Sequence, residues 1–157
     1  MTEKLKEIII PKESAVFWLD GNGCWRNKYG KFRRKKIIDF FHPSIKKDKN
    51  GYYVSQTREQ FLEKVYFHYE DTALFVFDVM KDKDITLLLN NMKKIKLKQG
   101  KLYIKDDSLY MHFGEEQIKF ADRGLFKISD LIEYDDDNYF IRVNNRRYKI
   151  KRNTFAL

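Results

Sequence analysis

The feature that most constrains this chain is a succession of short apolar segments separated by polar turns. In the clearest case, the apolar residues 15–19 are followed by the turn-forming residues 20–23 and by a second short segment over residues 24–27. Two β-type segments joined by so short a polar turn predict a β-hairpin. Strands joined by short turns pair antiparallel, because parallel pairing requires long crossovers. The order of segments therefore predicts a protein built mainly from hairpins.

Similar segments follow along the rest of the chain. Residues 94–98 alternate strictly, which directs Ile95 and Leu97 to one face and three lysines to the other. Residues 139–151 end the series with a hairpin whose turn is Asn144-Asn145. Between these, strands are predicted over residues 52–55, 66–69, 74–80, 85–89, 101–104, 109–113 and 117–120.

Three segments have the apolar spacing of short helices: residues 33–42, residues 57–65 and residues 123–134. The first begins with four cations, at residues 33–36, and is followed by Pro43, which is typical of a helix end. Cations near a helix N-terminus are disfavoured by the helix dipole. We therefore expect that this helix starts later than residue 33 or that other groups hold its cations in place.

The expected fold class is α+β and β-rich, with antiparallel, hairpin-ordered strands in one or two curled sheets and two or three short helices packed against them. One domain is the default for 157 residues. We expect an N-terminal tail over residues 1–14 and a single compact domain over residues 15–152. Two packed halves dividing near residues 90–100 are the alternative.

The composition favours a well-filled core more than it favours any partner. The 13 Phe, 10 Tyr and 2 Trp fall mostly on strand and helix positions that are expected to face inward. The net charge of +9 comes from 32 Lys and Arg against 23 Asp and Glu, with 23 lysines and only 9 arginines. Lysine and several of the abundant residues have A/T-rich codons, so coding bias accounts for part of the basic excess. The charge is therefore weak evidence for nucleic-acid binding.

Several other classes of protein are disfavoured. No apolar run reaches the ~20 residues of a membrane span, and residues 1–14 hold too short an apolar core for a signal peptide. Cys24 is the single cysteine, so no internal disulfide forms and a cytoplasmic location is expected. We expect no metal and no cofactor, because His42, His68 and His112 lack metal-ligand spacing.

Two sets of polar residues are candidates for binding. His68 and Glu70 share a face of a predicted strand, and Asp71 adds a second carboxylate. A carboxylate that caps turn amides is the alternative interpretation of this set. The second set consists of cations on predicted hairpins: Lys94, Lys96, Lys98, Arg146, Arg147 and Lys149. These could contact phosphates, although lysines on edge strands also prevent sheets from aggregating.

The segment Gly23-Cys24-Trp25, followed by Phe32, Arg34 and a helix ending at Phe41, resembles a bacterial family known as domain of unknown function 1285. Its members have a Gly-x-Trp hairpin, then an apolar residue, an arginine two positions later and a helix ending in Leu-Phe. The resemblance covers about residues 16–150. The other similar stretches are Gly51-Tyr52-Tyr53, residues 57–59, Glu70-Asp71-Thr72-Ala73 in place of the family's Glu-Asp-Ala-Pro, and residues 123–134.

The resemblance implies a compact, β-rich bacterial domain with no established activity or cofactor, and it carries over no catalytic residue. We predict a non-enzymatic module that binds a small ligand or a protein. Its predicted ligand contacts are Trp25, Arg34, His68, Glu70, Asp71 and Arg123. One hypothesis joins Glu70 and Asp71 with the two arginines of this set in a buried polar network. The alternatives are a nucleic-acid-binding protein that uses the lysine-bearing hairpins and, third, an enzyme of unknown type.

Overall fold

The computed structural model describes residues 5–153, and the chain divides into two compact units. The first unit is Met1–Ala73 and the second is Leu74–Leu157. From the sequence we expected one domain over residues 15–152, with a division near residues 90–100 as the alternative. The division lies earlier because the strand that begins at Leu74 pairs on both of its edges with strands that come later in the chain.

The described residues of the first unit form two four-stranded sheets and one α-helix. Its strands are β1 (Lys6–Ile10), β2 (Phe17–Leu19), β3 (Trp25–Asn27), β4 (Gly30–Lys31), β5 (Ile45–Asp48), β6 (Gly51–Arg58), β7 (Phe61–Tyr66) and β8 (His68–Tyr69). The sheets have the orders β1-β7-β6-β5 and β4-β3-β2-β8. Helix α1 spans Lys35–Phe41, and a single 3₁₀ turn spans Lys12–Ser14.

In the second unit, the residues that the structure describes form a seven-stranded sheet, a three-stranded sheet and one α-helix. Its strands are β9 (Leu74–Lys81), β10 (Ile85–Leu89), β11 (Lys94–Lys96), β12 (Leu102–Lys105), β13 (Ser108–Phe113), β14 (Glu116–Phe120), β15 (Ile132–Asp135), β16 (Asn138–Val143), β17 (Arg146–Lys149) and β18 (Lys151–Arg152). The sheet orders are β11-β10-β9-β14-β13-β12-β18 and β15-β16-β17. Helix α2 spans Asp122–Ile128, and 3₁₀ turns span Gln99–Lys101 and Ser129–Leu131.

The β-rich α+β class is confirmed, but the strands are not purely antiparallel. The predicted hairpin β2–β3 has the register Phe17↔Asn27 and Leu19↔Trp25. Four other pairs run parallel: β1 with β7, β2 with β8, β9 with β14, and β12 with β18. The first of these brings Lys6–Ile10, in the predicted tail, against β7. Parallel partners lie far apart in the sequence, so turn signals do not reveal them.

Two of the three helix predictions are confirmed in part, and one is wrong. Helix α1 begins at Lys35, two residues into the predicted segment 33–42. The predicted helix over residues 57–65 is instead part of the β6–β7 hairpin, whose turn includes Glu59 with φ 50°. The predicted helix over residues 123–134 ends as α2 at Ile128, and β15 begins at Ile132.

Each unit has an apolar core of its own. In the first unit Leu19 and Trp25 are fully buried, together with Phe67 and residues of β6 and β7. In the second unit the core is formed by residues of β9, β10, β13 and β14, such as Phe75, Leu87 and Ile118. Neither α1 nor α2 is long and apolar enough to cross a bilayer, and the described residues contain no other α-helix.

Candidate functional site

A groove of about 820 Å³ lies in the first unit and is the candidate site. It is bounded by β2, the β3–β4 turn, the segment from Lys31 to α1, the outer side of α1 and the end of β6. Its apolar lining consists of Val16, Phe17, Tyr29, Phe32, Ile37, Phe40 and Phe41, and Asn27 and Gln56 add neutral polar groups. A volume of this size is in the range of small-molecule binding sites.

The floor of the groove is a cluster of aromatic rings in edge-to-face contact. The ring centroids of Phe17 and Phe41 are 4.9 Å apart, and those of Phe32 and Phe41 are 5.3 Å apart. Trp25 contacts Phe41 at 5.3 Å and Phe17 at 5.6 Å. Such contacts stabilise aromatic cores beyond the burial of surface alone. The floor is therefore held by side chains from β2, β3 and α1 together.

Trp25, one of the predicted ligand contacts, lies in the core rather than among the groove's lining residues. It is 1% exposed, and its indole Nε1 donates a hydrogen bond of 3.1 Å to Nδ1 of His42, at the end of α1. Burial lowers the pKa of His42 from 6.5 to about 4, and the nearby Asp39 opposes the shift only partly. The imidazole is therefore neutral at pH 7, as an acceptor for the indole must be.

Five cationic residues, which we call the cationic rim, complete the lining: Lys31, Arg33, Arg34, Lys36 and Arg58. None of the described residues that line the groove is acidic. Within residues 5–153, no carboxylate forms an ion pair with any of the five, whereas the neighbouring Lys35 pairs with Asp39 at 3.5 Å. The groove thus combines an aromatic floor with an uncompensated positive charge.

The predicted carboxylate site takes part in a turn. Oε2 of Glu70 accepts a hydrogen bond of 2.9 Å from the Gly21 amide. The neighbouring Asp20 is buried and accepts from the Asn22 and Cys24 amides and from Nε of Arg26 at 2.6 Å. Burial favours the neutral form of Asp20, but these hydrogen bonds hold its pKa below the usual value. The capping interpretation therefore describes the local role of Glu70.

The other predicted ligand contacts lie in different places. His68 is exposed on β8, where it pairs with Trp18, and Asp71 follows Glu70 in the loop before β9. Arg34 lines the groove. Arg123 belongs to α2 in the second unit, where its Nη2 lies 3.4 Å from Oδ2 of Asp78. The structure thus gives Glu70 and Arg123 separate local partners.

Five of the six cations of the nucleic-acid alternative lie in two different sheets of the second unit, and Lys98 lies just before the 3₁₀ turn Gln99–Lys101. Lys94 and Lys96 are on β11, an edge strand, and Nζ of Lys96 is 3.8 Å from Asp84. Lys98 lies over the ring of Phe113. Arg146, Arg147 and Lys149 are on β17, the edge of the three-stranded sheet. Arg147 is 3.0 Å from Asp135 and 3.5 Å from Glu133, so part of this charge is neutralised.

Sequence reasoning missed most of the groove. It placed Ile37 and Phe40 only in the apolar spacing of a predicted helix, whereas both are exposed on α1 and line the groove, and it gave no binding role to Val16, Tyr29 or Arg58. One signal was available, because the cations of residues 33–36 stand where a helix dipole disfavours them. In the part of the chain that the structure describes, no cluster of three or more His, Cys, Asp or Glu residues could hold a metal ion.

Two solved structures are similar to this chain. A DUF1285 (domain of unknown function 1285) family protein from Silicibacter pomeroyi DSS-3 has 13% identity and a TM-score of 0.59, with 94% of this chain and 84% of that chain covered. A DUF1285 family protein from Shewanella baltica OS155 has 16% identity and a TM-score of 0.48, with 71% of this chain and 87% of that chain covered. No family model matches the sequence, and no curated protein matches it. The first similarity confirms the fold expected from the motifs, and the chain has a DUF1285-like fold.

Proposed function

We propose that this chain is a non-enzymatic binding module whose groove in the first unit takes a ligand with an anionic group and an apolar body. The observation that carries the proposal is the lining itself. Among the described residues, five cations and no acidic residue line the groove around its aromatic floor. A cytoplasmic location is part of the proposal and is supported by the single cysteine.

Two different properties of the lining favour the two halves of the ligand. Apolar surface removed from water contributes about 25 cal/mol per Å², so the exposed aromatic and aliphatic side chains favour an apolar body. Unpaired cations add attraction for a negative group without first breaking an ion pair. A ligand with only one of these properties would leave half of the lining unused. An amphipathic anion, such as a fatty acid, uses both.

The test is calorimetric titration with decanoate, in parallel with decanol as the uncharged analogue of the same length. The variant is Arg33→Gln/Arg34→Gln, and both positions are exposed, so folding is retained. The matched control is Lys83→Gln/Lys93→Gln, which removes the same charge from exposed positions of the second unit. We expect decanoate to bind more tightly than decanol and its Kd to rise roughly tenfold or more in the variant, with the control close to the parent protein.

Two results would contradict the proposal. Equal affinity for decanol and decanoate would show that the cationic rim does not contribute to binding. An unchanged Kd for decanoate in the variant would show that the ligand does not bind in this groove. A gel-mobility assay with a single-stranded oligonucleotide at low salt tests the alternative. If the oligonucleotide is retarded by the parent protein and by the arginine variant but not by Lys94→Gln/Lys96→Gln, nucleic-acid binding through the lysine-bearing hairpins is favoured.

A further inference from the structure

Four apolar side chains at the groove, which we call the apolar edge, are exposed to solvent. Tyr29 is 85% exposed, Val16 79%, Phe40 46% and Ile37 39%. All four line the same groove, so they belong to one surface. They come from three separate places in the chain, namely the segment before β2, the β3–β4 turn and α1. Exposed apolar side chains gathered from separate segments indicate a contact surface.

Cations are interleaved with these side chains. The cationic rim lines the same groove, and Nζ of Lys28 lies 5.0 Å from the centre of the Tyr29 ring. Because none of the described lining residues is acidic, the surface offers positive charge and apolar groups together. A protein partner with a surface of mixed charge would place some basic groups against this rim, and the repulsion between like charges would weaken binding. A uniformly negative surface avoids this repulsion.

From this combination we infer that the groove mouth docks onto an anionic lipid bilayer, with the apolar edge in the interfacial region and the cationic rim against the headgroups. Tyrosine rings favour the depth of the headgroups, and aliphatic side chains favour the acyl boundary. Lysine and arginine side chains are attracted by the negative potential of anionic lipids. Stacked bases would use Tyr29 but leave Val16 and Ile37 without a function, so the bilayer fits the surface better than a nucleic acid does.

This inference rests on the proposed function in one respect: the same groove would take its amphipathic ligand from the bilayer or deliver it there. An exposed apolar edge beside the groove shortens the path of an acyl chain through water. The two proposals nevertheless have separate tests, because docking requires a lipid surface, whereas ligand binding requires only dissolved decanoate.

The experiment is flotation of the intact chain with vesicles of phosphatidylcholine alone and of phosphatidylcholine with an equal amount of phosphatidylglycerol. We expect binding to the anionic vesicles, little binding to the zwitterionic ones, and release as the salt concentration rises. Each cation removed should lower partitioning about fivefold, so Arg33→Gln/Arg34→Gln should lower it roughly 25-fold. Tyr29→Ser should lower it about threefold or more by removing an interfacial ring.

Phe126→Ser is the matched control for Tyr29→Ser, because Phe126 is 79% exposed but lies on α2 in the second unit. It should leave partitioning unchanged. Equal binding to both kinds of vesicle, no binding to anionic vesicles at low salt, or equal losses in Tyr29→Ser and Phe126→Ser would each overturn the inference. If decanoate binds the groove and vesicles do not bind, the docking inference fails while the proposed function stands. If vesicles bind in the expected pattern and decanoate does not, the reverse holds.

Discussion

The hydrogen bond between Trp25 and His42 makes the stability of the first unit dependent on pH. Nε1 of Trp25 donates to Nδ1 of His42 at 3.1 Å, and the indole is almost fully buried. A proton on Nδ1 would set two donors against each other, and burial disfavours the charge as well. Burial lowers the pKa of His42 from 6.5 to about 4, although Asp39 nearby favours the charged form.

The sign and size of the effect follow from this difference in pKa. Since the folded-state pKa is the lower one, the unfolded chain takes up the proton first, and stability is complete above pH 6.5. It is lost progressively as the pH falls from 6.5 to about 4. A difference of one pKa unit corresponds to about 1.4 kcal/mol, so the full loss is about 3 kcal/mol and the loss at pH 5 is about 2 kcal/mol.

His42→Asn separates this contribution from the rest of the molecule. The Oδ1 atom of asparagine can accept from the indole at about the position of Nδ1, but it does not titrate. Both tryptophans of the chain, Trp18 and Trp25, lie in the first unit, so urea unfolding followed by tryptophan fluorescence reports on that unit. His68 and His112 are present in both proteins, so their contribution cancels in the comparison.

We expect the parent protein to lose about 2 kcal/mol more than His42→Asn when unfolding at pH 7.5 is compared with unfolding at pH 5. An equal loss of unfolding free energy in the two proteins between pH 7.5 and pH 5 would refute this role of His42. The comparison ends at pH 5 because carboxylates with lowered pKa values, such as Asp20 and Asp48, begin to contribute nearer their own range.

Two further predictions concern contacts within each unit. Gly124→Ala should destabilise the second unit by about 1–3 kcal/mol in thermal melting. A Cβ at position 124 would clash with the Val76 carbonyl oxygen, which already accepts a hydrogen bond from the Ala121 amide. Gly100→Ala is the control, because a Cβ there has none of the described atoms within 4 Å and the variant should melt like the parent protein. Equal melting of both variants would contradict the close packing of α2 on β9. Asp20→Asn should lower the free energy of unfolding of the first unit by about 1–3 kcal/mol. Arg26 loses its carboxylate partner, and the turn amides lose a charged acceptor. Unchanged urea unfolding by tryptophan fluorescence would contradict the role of Asp20 in that turn.

The parts of the fold that could be predicted are those in which the turn and its strands lie together in sequence. The Asn144-Asn145 turn is one example, since both residues take positive φ, 51° and 62°, as a two-residue hairpin turn requires. The strands on its two sides pair in the register Val143↔Arg146. Local chemistry determines both the turn and the pairing here, so the sequence is sufficient.

The parts that could not be predicted depend on partners distant in sequence. Residues 61–65 have an apolar spacing that fits a helix, but pairing of β7 with both β6 and β1 makes them a strand. Tertiary pairing overrides local preference in such segments. The pairing of β9 with β14 likewise joins residues more than 40 positions apart, and no turn signal marks it.

The groove was hidden from sequence reasoning because its residues also fit an ordinary amphipathic helix. Ile37 and Phe40 have the spacing of core residues, yet α1 buries none of its side chains completely. The cations beside them do not stabilise the helix either, because the dipole opposes them and the rim has no acidic partner among the described residues. Side chains that contribute little to the fold and still form one surface are expected to serve binding. Arg33→Gln/Arg34→Gln should therefore lose affinity for decanoate while its melting temperature stays equal to that of the parent protein or rises.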